Sequence, residues 1–172
     1  EEISRVMENP EHSKYFPISL HRQLAKGKGD AVRLGFAKAT GDLFIILDAD
    51  LTVPPEDLSK FVEVYCAGYG EFINGSRLVY EMERAAMRLL NLIANRGFGL
   101  TFTWLLGQKF KDTLCGTKAL SRRSYQRIVS GRAYFGNFDP FGDFDLIFGA
   151  SKLDLEIVEV PVRYEDRKYG QT

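Results

Sequence analysis

Leu43-Phe44-Ile45-Ile46-Leu47-Asp48-Ala49-Asp50-Leu51-Thr52 is the stretch whose reading decides the fold. Its five leading apolar residues do not alternate with polar ones, which is the pattern of a central strand covered on both faces. The run ends in two carboxylates, Asp48 and Asp50. Residues i and i+2 of an extended segment point the same way, so both acids can reach one divalent cation or one metal-bound diphosphate. The carboxyl end of such a strand is also where open α/β sheets place their ligands. Two acids after a strand equally describe a solvated turn, and the triplet alone does not choose.

The flanking sequence supplies the layers. Upstream, the loop Lys26-Gly27-Lys28-Gly29 leads to Asp30 as a helix N-cap. Val32, Gly35, Phe36 and Ala39 follow at i, i+3, i+4 and i+7 before Gly41 closes the helix. Downstream of Pro54-Pro55, Glu56 and Asp57 fall in the first turn of a second helix, where carboxylates suit the dipole. Leu58, Phe61, Val62, Tyr65 and Cys66 form its apolar stripe, and Gly68 stops it. Phe72 and Ile73 then read as a strand entering Gly75-Ser76-Arg77, and Tyr15 to Leu20 as a short strand before the first helix. Helix, strand, helix, strand in this order predicts an α/β layer with a mostly parallel sheet. Val158, Val160, Val162 and Tyr164 alternate with Glu159, Pro161 and Arg163, a strand whose proline favours an edge.

Residues 82–106 differ. Met82, Ala86, Leu89, Leu90 and Ile93 make a broad apolar face, while Arg84, Arg88, Asn91 and Asn95 recur as a polar stripe. The continuation from Phe98 to Leu106 suits either a core or a membrane surface, so 82–106 is read as an interfacial helical segment.

Composition narrows the function classes. The chain has 172 residues, 23 Lys+Arg against 23 Asp+Glu, and 45% hydrophobic residues. That is enough for one domain with a core of its own. Zero net charge removes the footprint of a protein that neutralises a polynucleotide, so no nucleic-acid partner is expected. Cys66 and Cys115 are too few for a disulfide framework and lack zinc-site spacing, which points to a reducing compartment. His12 and His21 read as surface histidines. The longest uncharged run, Gly97 to Gln108, falls short of the roughly 18 residues that span a bilayer.

Two enzyme readings compete for the acidic motif. Phe44 to Thr52 fits the hhhhDxDxT opening of the haloacid-dehalogenase-like phosphatases, in which the first acid, here Asp48, is a nucleophile. Those enzymes carry the motif on their first strand, whereas a well-formed helix precedes it here. The wider context resembles the inverting glycosyltransferases of family 2, which have a GT-A fold. The residues that carry the resemblance are Gly27-Lys28-Gly29-Asp30-Ala31, Gly35, Ala39-Thr40-Gly41-Asp42, Asp48-Ala49-Asp50-Leu51 and Pro54-Pro55-Glu56. Gly75-Ser76-Arg77, the Arg88 helix, Asp112-Thr113-Leu114-Cys115-Gly116-Thr117-Lys118, Glu159-Val160-Pro161-Val162, Arg167, Gly170 and Thr172 follow in order. The chain is most similar to the branch of dolichyl-phosphate mannose synthases and bacterial polyprenyl-phosphate sugar transferases.

The resemblance implies a role for each matched residue. Asp48 and Asp50 would hold Mg2+ or Mn2+ on the diphosphate of a nucleotide-sugar donor, with Lys28 and Arg77 also on the donor side. Arg88 and Arg167 would contact the phosphate of the acceptor, for which a guanidinium fork is well suited. Asp145 falls where the family places its base, and Asp143, two residues away, is the other candidate. A lipid-phosphate acceptor is already anionic at neutral pH and would need arginines more than a base. The implied protein is cytoplasmic and peripheral at a membrane surface, with no oligomeric state indicated.

The family's opening strand of the type V-x-I-P-x-x-N-E and its D-D-x-S strand are missing from this sequence. Residues 1–172 are therefore read as a partial catalytic domain, and a non-catalytic role in binding a membrane or partner is the third hypothesis.

Overall fold

The computed structural model describes residues 17–77, 97, 99–104, 107–108, 111–131 and 142–165. Helix α1 spans Lys28–Lys38 and strand β1 Leu43–Ile46. A 3-10 turn at Pro55–Asp57 runs into α2, Leu58–Cys66. Strand β2 is Phe72–Ser76, β3 Lys118–Ser121 and β4 Ile157–Pro161. Helices α3, Arg122–Ser130, and α4, Asp143–Lys152, lie between β3 and β4 in sequence.

The first helix begins earlier than its expected cap. Gly27, at φ 96°, is the N-cap, and Asp30 sits inside the first turn, where its charge still suits the dipole. The α/β class stands, but the described sheet is mixed rather than mostly parallel. Its order is β1-β3-β2-β4, with β3 antiparallel to both β1 and β2 and only β2 and β4 parallel. The reversal comes from β3, whose sequence Lys-Ala-Leu-Ser has too short an apolar run to announce a strand. β1 consequently lies at an edge of the described sheet instead of its centre. β4 is at the other edge and ends on Pro161, as the proline predicts.

Side chains alternate across the sheet and build a core on each face. Phe44 and Ile46 of β1, Phe72 of β2 and Leu120 of β3 face Phe36 of α1, Ile128 of α3 and Leu146, Ile147 and Ala150 of α4. Ile73 and Ala119 face the other way, against Phe61 of α2, with Leu43 and Ile45 packed beside them. Phe36, Phe44 and Tyr125 make three mutual ring contacts that seat α1 on β1. α4 packs so closely on α3 that a Cβ on Gly149 would meet Ile128. Ser121 caps α3 by accepting a hydrogen bond from Ser124 N at 2.9 Å.

Of the interfacial segment, residues 97 and 99–104 are described, and they are helical; the rest lies outside the described residues. Phe102 stacks on Phe144, while Leu100 and Trp104 are 73% and 84% exposed. Among the described residues, no helix is long and apolar enough to cross a membrane.

Candidate active site

Strand direction decides which residues meet. β3 is antiparallel to both β1 and β2, so β1 and β2 run the same way, and β4 runs with them. The carboxyl ends of three strands and the amino end of β3 therefore share one sheet edge. Asp48 and Asp50 follow β1, Arg77 follows β2, Tyr164 follows β4, and Cys115, Gly116 and Thr117 lead into β3. These residues, with Thr52, Val53 and Leu114, line one cleft of about 140 Å³. The structure thus brings Asp48, Asp50 and Arg77 together. A larger groove of about 550 Å³, lined by Lys28, runs along β1 and α1 and shares Asp48 with the cleft, but is otherwise mostly apolar.

The two acids of the motif have different surroundings. The chain turns sharply after β1, with Leu51 N donating to Asp48 O at 3.1 Å and Leu51 at φ 51°, a strained conformation for a leucine. Asp50 Oδ1 accepts hydrogen bonds from Thr52 N at 3.3 Å and Thr52 Oγ1 at 3.1 Å, which orient the carboxylate. Asp48 instead faces Lys28, whose Nζ is 2.9 Å from Oδ1 and 3.1 Å from Oδ2. Lys28 Nζ is also 3.5 Å from Asp143 Oδ2, and Asp143 Oδ1 accepts from Lys118 Nζ at 3.1 Å. Lys118, fully buried, donates a further hydrogen bond to Cys115 O. Burial works against the Lys28 ammonium, but Asp143 and Asp48 outweigh it and hold its pKa above the ordinary lysine value.

Gly116 makes room for this chain of charges. A Cβ built there would overlap both Asp48 Oδ2 and Lys28 Nζ. Gly142, at φ 75°, brings the start of α4 against Gly29 of α1, so Asp143 in the first turn of α4 reaches Lys28.

Arg77 is held as firmly. Its N and Nε donate to Asp112 Oδ2 at 3.0 and 2.7 Å, its Nη2 to Asp112 Oδ1 at 2.8 Å, and its guanidinium lies 5.1 Å from the Tyr164 ring centroid. Burial opposes the charge, and the Asp112 contacts outweigh burial, so the Arg77 pKa rises above the ordinary arginine value. Asp112 is itself fixed by Glu159, whose Oε1 accepts from Lys111 N at 2.9 Å and Asp112 N at 3.1 Å. Burial pushes the Glu159 carboxyl up despite those two donors.

Asp145 is placed elsewhere. It lines a small cavity with Arg33, Tyr125 and Ile128, with Arg33 Nη1 at 3.9 Å from its Oδ2. Asp143, by contrast, is connected to the cleft through Lys28. Arg88 and Arg167 lie outside the described residues. Cys115 is a buried packing residue whose thiol is pushed up by burial and by Asp112. His21 is exposed, and His12 lies outside the described residues.

Sequence reasoning assigned no role to Lys118, Gly116, Asp112, Thr52 or Tyr164. The D-T-L-C-G-T-K run was visible as a motif, and its glycine and lysine were the available signal. Nothing local could have paired Asp112 with Arg77, 35 residues away.

Among the described residues, no group of three or more His, Cys, Asp or Glu side chains is arranged to hold a metal by itself. Two carboxylate residues do fit Mg2+ or Mn2+, which keep several waters and are completed by substrate phosphates. Hard oxygen donors at a site with Arg77 close by suit an ion that arrives with a diphosphate.

The paired acids and the fixed arginine thus lie at the carboxyl ends of the strands, where open α/β sheets bind their ligands. The chain belongs to glycosyl transferase family 2, which matches residues 5–129. It is 29% identical over 150 residues to glycosyltransferase AglJ of Haloferax volcanii, covering 86% of this chain and 47% of that protein. It is 26% identical to the undecaprenyl-phosphate 4-deoxy-4-formamido-L-arabinose transferase of Sodalis glossinidius, covering 85% and 40%. Among solved structures it is similar to glucosyl-3-phosphoglycerate synthase from Mycobacterium tuberculosis in complex with uridine diphosphate. That match has a TM-score of 0.58 and 21% identity, over 88% of this chain and 50% of that one, and shows the shared fold. The chain spans under half the length of these curated relatives. Family membership decides the hhhhDxDxT motif in favour of the glycosyltransferase reading over the phosphatase one.

Proposed function

We propose that this chain carries the donor-phosphate site of a metal-dependent, inverting glycosyltransferase that moves a sugar from a nucleotide-sugar to a polyprenyl phosphate. The observation that carries this reading is the convergence of Asp48, Asp50 and Arg77 on one cleft at the carboxyl ends of β1 and β2. The relatives' names supply the acceptor class, since one of them acts on undecaprenyl phosphate. Asp48 and Asp50 would hold Mg2+ or Mn2+, which when bound neutralises charge developing on the leaving nucleoside diphosphate. Arg77, locked by Asp112 and Tyr164, is preorganised to face phosphate oxygens without losing side-chain entropy on binding. Lys28 contributes a second cation on the donor side.

Inversion needs a nucleophile that approaches opposite the leaving group. A lipid phosphate is anionic near neutral pH, so it needs positioning by cations, the role assigned to Arg88 and Arg167. Asp143, between two lysines, serves better as a charge that positions Lys28 than as a proton acceptor. Asp145 remains the base candidate for a hydroxyl acceptor. Exposed Leu100 and Trp104, one helical turn apart, are suited to the headgroup level of a membrane, which supports peripheral attachment.

The test is transfer of a radiolabelled sugar from a nucleotide-sugar to polyprenyl phosphate with Mn2+, comparing wild type with Asp50→Asn. A loss of at least about a hundredfold with an unchanged fold is expected, in the range of a lost electrostatic stabiliser. Release of phosphate from small phosphoesters, abolished by Asp48→Asn, would overturn the reading.

A further inference from the structure

Of the two acids of the cleft, Asp48 already faces an ammonium group. Lys28 Nζ straddles both oxygens of Asp48, at 2.9 and 3.1 Å, the side of the carboxylate that a chelated cation would take. Asp50 is oriented by the neutral donors of Thr52. The ammonium is also retained from behind. Asp143 lies 3.5 Å from Lys28 and is itself held by the buried Lys118, so Lys28 remains compensated if it leaves Asp48. Gly116 lets the pair close against the backbone, where any side chain would displace it. The Lys28 side chain is 28% and the Asp48 side chain 41% exposed, and the close approach of Gly116 and the Asp143–Lys118 pair behind fix the contact.

We propose that Lys28 is a resident counter-cation that competes with the divalent ion for Asp48, so that the donor-free protein holds the ion weakly. A doubly charged ion brought to Asp48 meets a fixed positive charge within a few ångströms, where Coulomb repulsion at a partly buried site is strong. When a diphosphate enters, its oxygens offer Lys28 another anionic partner, and Asp48 becomes available to the ion. Metal and donor then bind with positive coupling, because each relieves the competition felt by the other. The inference rests on the reading of Asp48 and Asp50 as the acids of the cation site.

The test is Mn2+ binding to the full chain without nucleotide, followed by loss of the free-ion signal in electron paramagnetic resonance. Wild type is compared with Lys28→Met, Lys28→Gln, Asp50→Asn and the Lys28→Met/Asp48→Asn pair, each checked for fold by circular dichroism. Lys28→Met is expected to tighten Mn2+ binding about tenfold, and the gain is expected to vanish when Asp48 is also replaced. If the methionine variant does not fold, Lys28→Gln carries the test, since it removes the charge and keeps a donor toward Asp48. Unchanged or weaker Mn2+ binding in the Lys28 variants, with Asp50→Asn still weakening it, would overturn the inference and leave the site reading standing. Mn2+ binding indifferent to Asp50 and Asp48 would overturn the site reading itself.

Discussion

Two carboxylates in this protein are each held by a pair of cations, and they do different work. Asp57, at the start of α2, accepts from Arg163 N at 2.8 Å and Arg163 Nη2 at 3.1 Å, with Lys60 Nζ at 3.0 Å. Its side chain is 3% exposed while Arg163 and Lys60 reach solvent, so the buried partner is the acid, and Lys60 Nζ also donates to Pro161 O at 3.2 Å. It tethers the chain after β4 to the head of α2. Around Asp143 the pattern is inverted: the wholly buried partner is a cation, Lys118, and the other cation, Lys28, is shared with an acid on the cleft wall. A carboxylate whose cations face water is an anchor. One with a cation that borders a groove leaves charge to be shared with a ligand.

Four measurements would break or sharpen this contrast. The largest effect is expected from Gly116→Ala, whose Cβ collides with the Lys28–Asp48 pair. Transfer activity should fall about a hundredfold with only a modest loss of melting temperature; activity within threefold of wild type would show that the pair is not needed. Asp57→Ala should do the reverse. About 2 kcal/mol of stability, or roughly 6 °C in melting temperature, should be lost while transfer per folded molecule stays unchanged. Asp112→Asn keeps the shape of the Arg77 contact and removes its charge, so the donor KM should rise about tenfold with kcat less affected. A change confined to thermal stability would reduce Arg77 to a structural ion pair.

The smallest effect is a pH dependence. Burial pushes the Asp57 carboxyl up, but the Arg163 N–H and the Lys60 and Arg163 side chains outweigh it and hold its pKa below the ordinary carboxylate value. A depressed folded-state pKa contributes stability that is present above the unfolded value, about 3.9, and lost as pH falls through the folded one. Denaturant titrations below about pH 4 should therefore show a shallower pH slope in Asp57→Asn than in wild type. Equal slopes would remove Asp57 as a source of acid lability.

Much of the candidate site was legible because it is local. Leu43 to Asp50 announces a strand that delivers two acids, and the Gly27-Lys28-Gly29 loop announces the start of a helix. β3 was not legible, since four residues beginning with a lysine carry no period of their own, and its insertion between β1 and β2 turned an expected parallel sheet into a mixed one. Asp145 falls where the family places its base, and Asp143, two residues away, is the other candidate. On α4 they point to different neighbours, Asp143 to Lys28 and Lys118 and Asp145 to Arg33, because successive helical positions diverge by about 100°.

What the sequence by itself determined is the chemistry on offer: the α/β class, the acid pair at a strand end and the basic residues suited to phosphate. Those follow from residue type and short-range periodicity, which the chain carries wherever it folds. Only the tertiary structure decided which charges neutralise which. Lys28 with Asp48, Asp143 with Lys118 and Arg77 with Asp112 are separated by 20, 25 and 35 residues. Such pairings depend on strand order and on the glycine that lets two elements approach, and neither is written in local sequence.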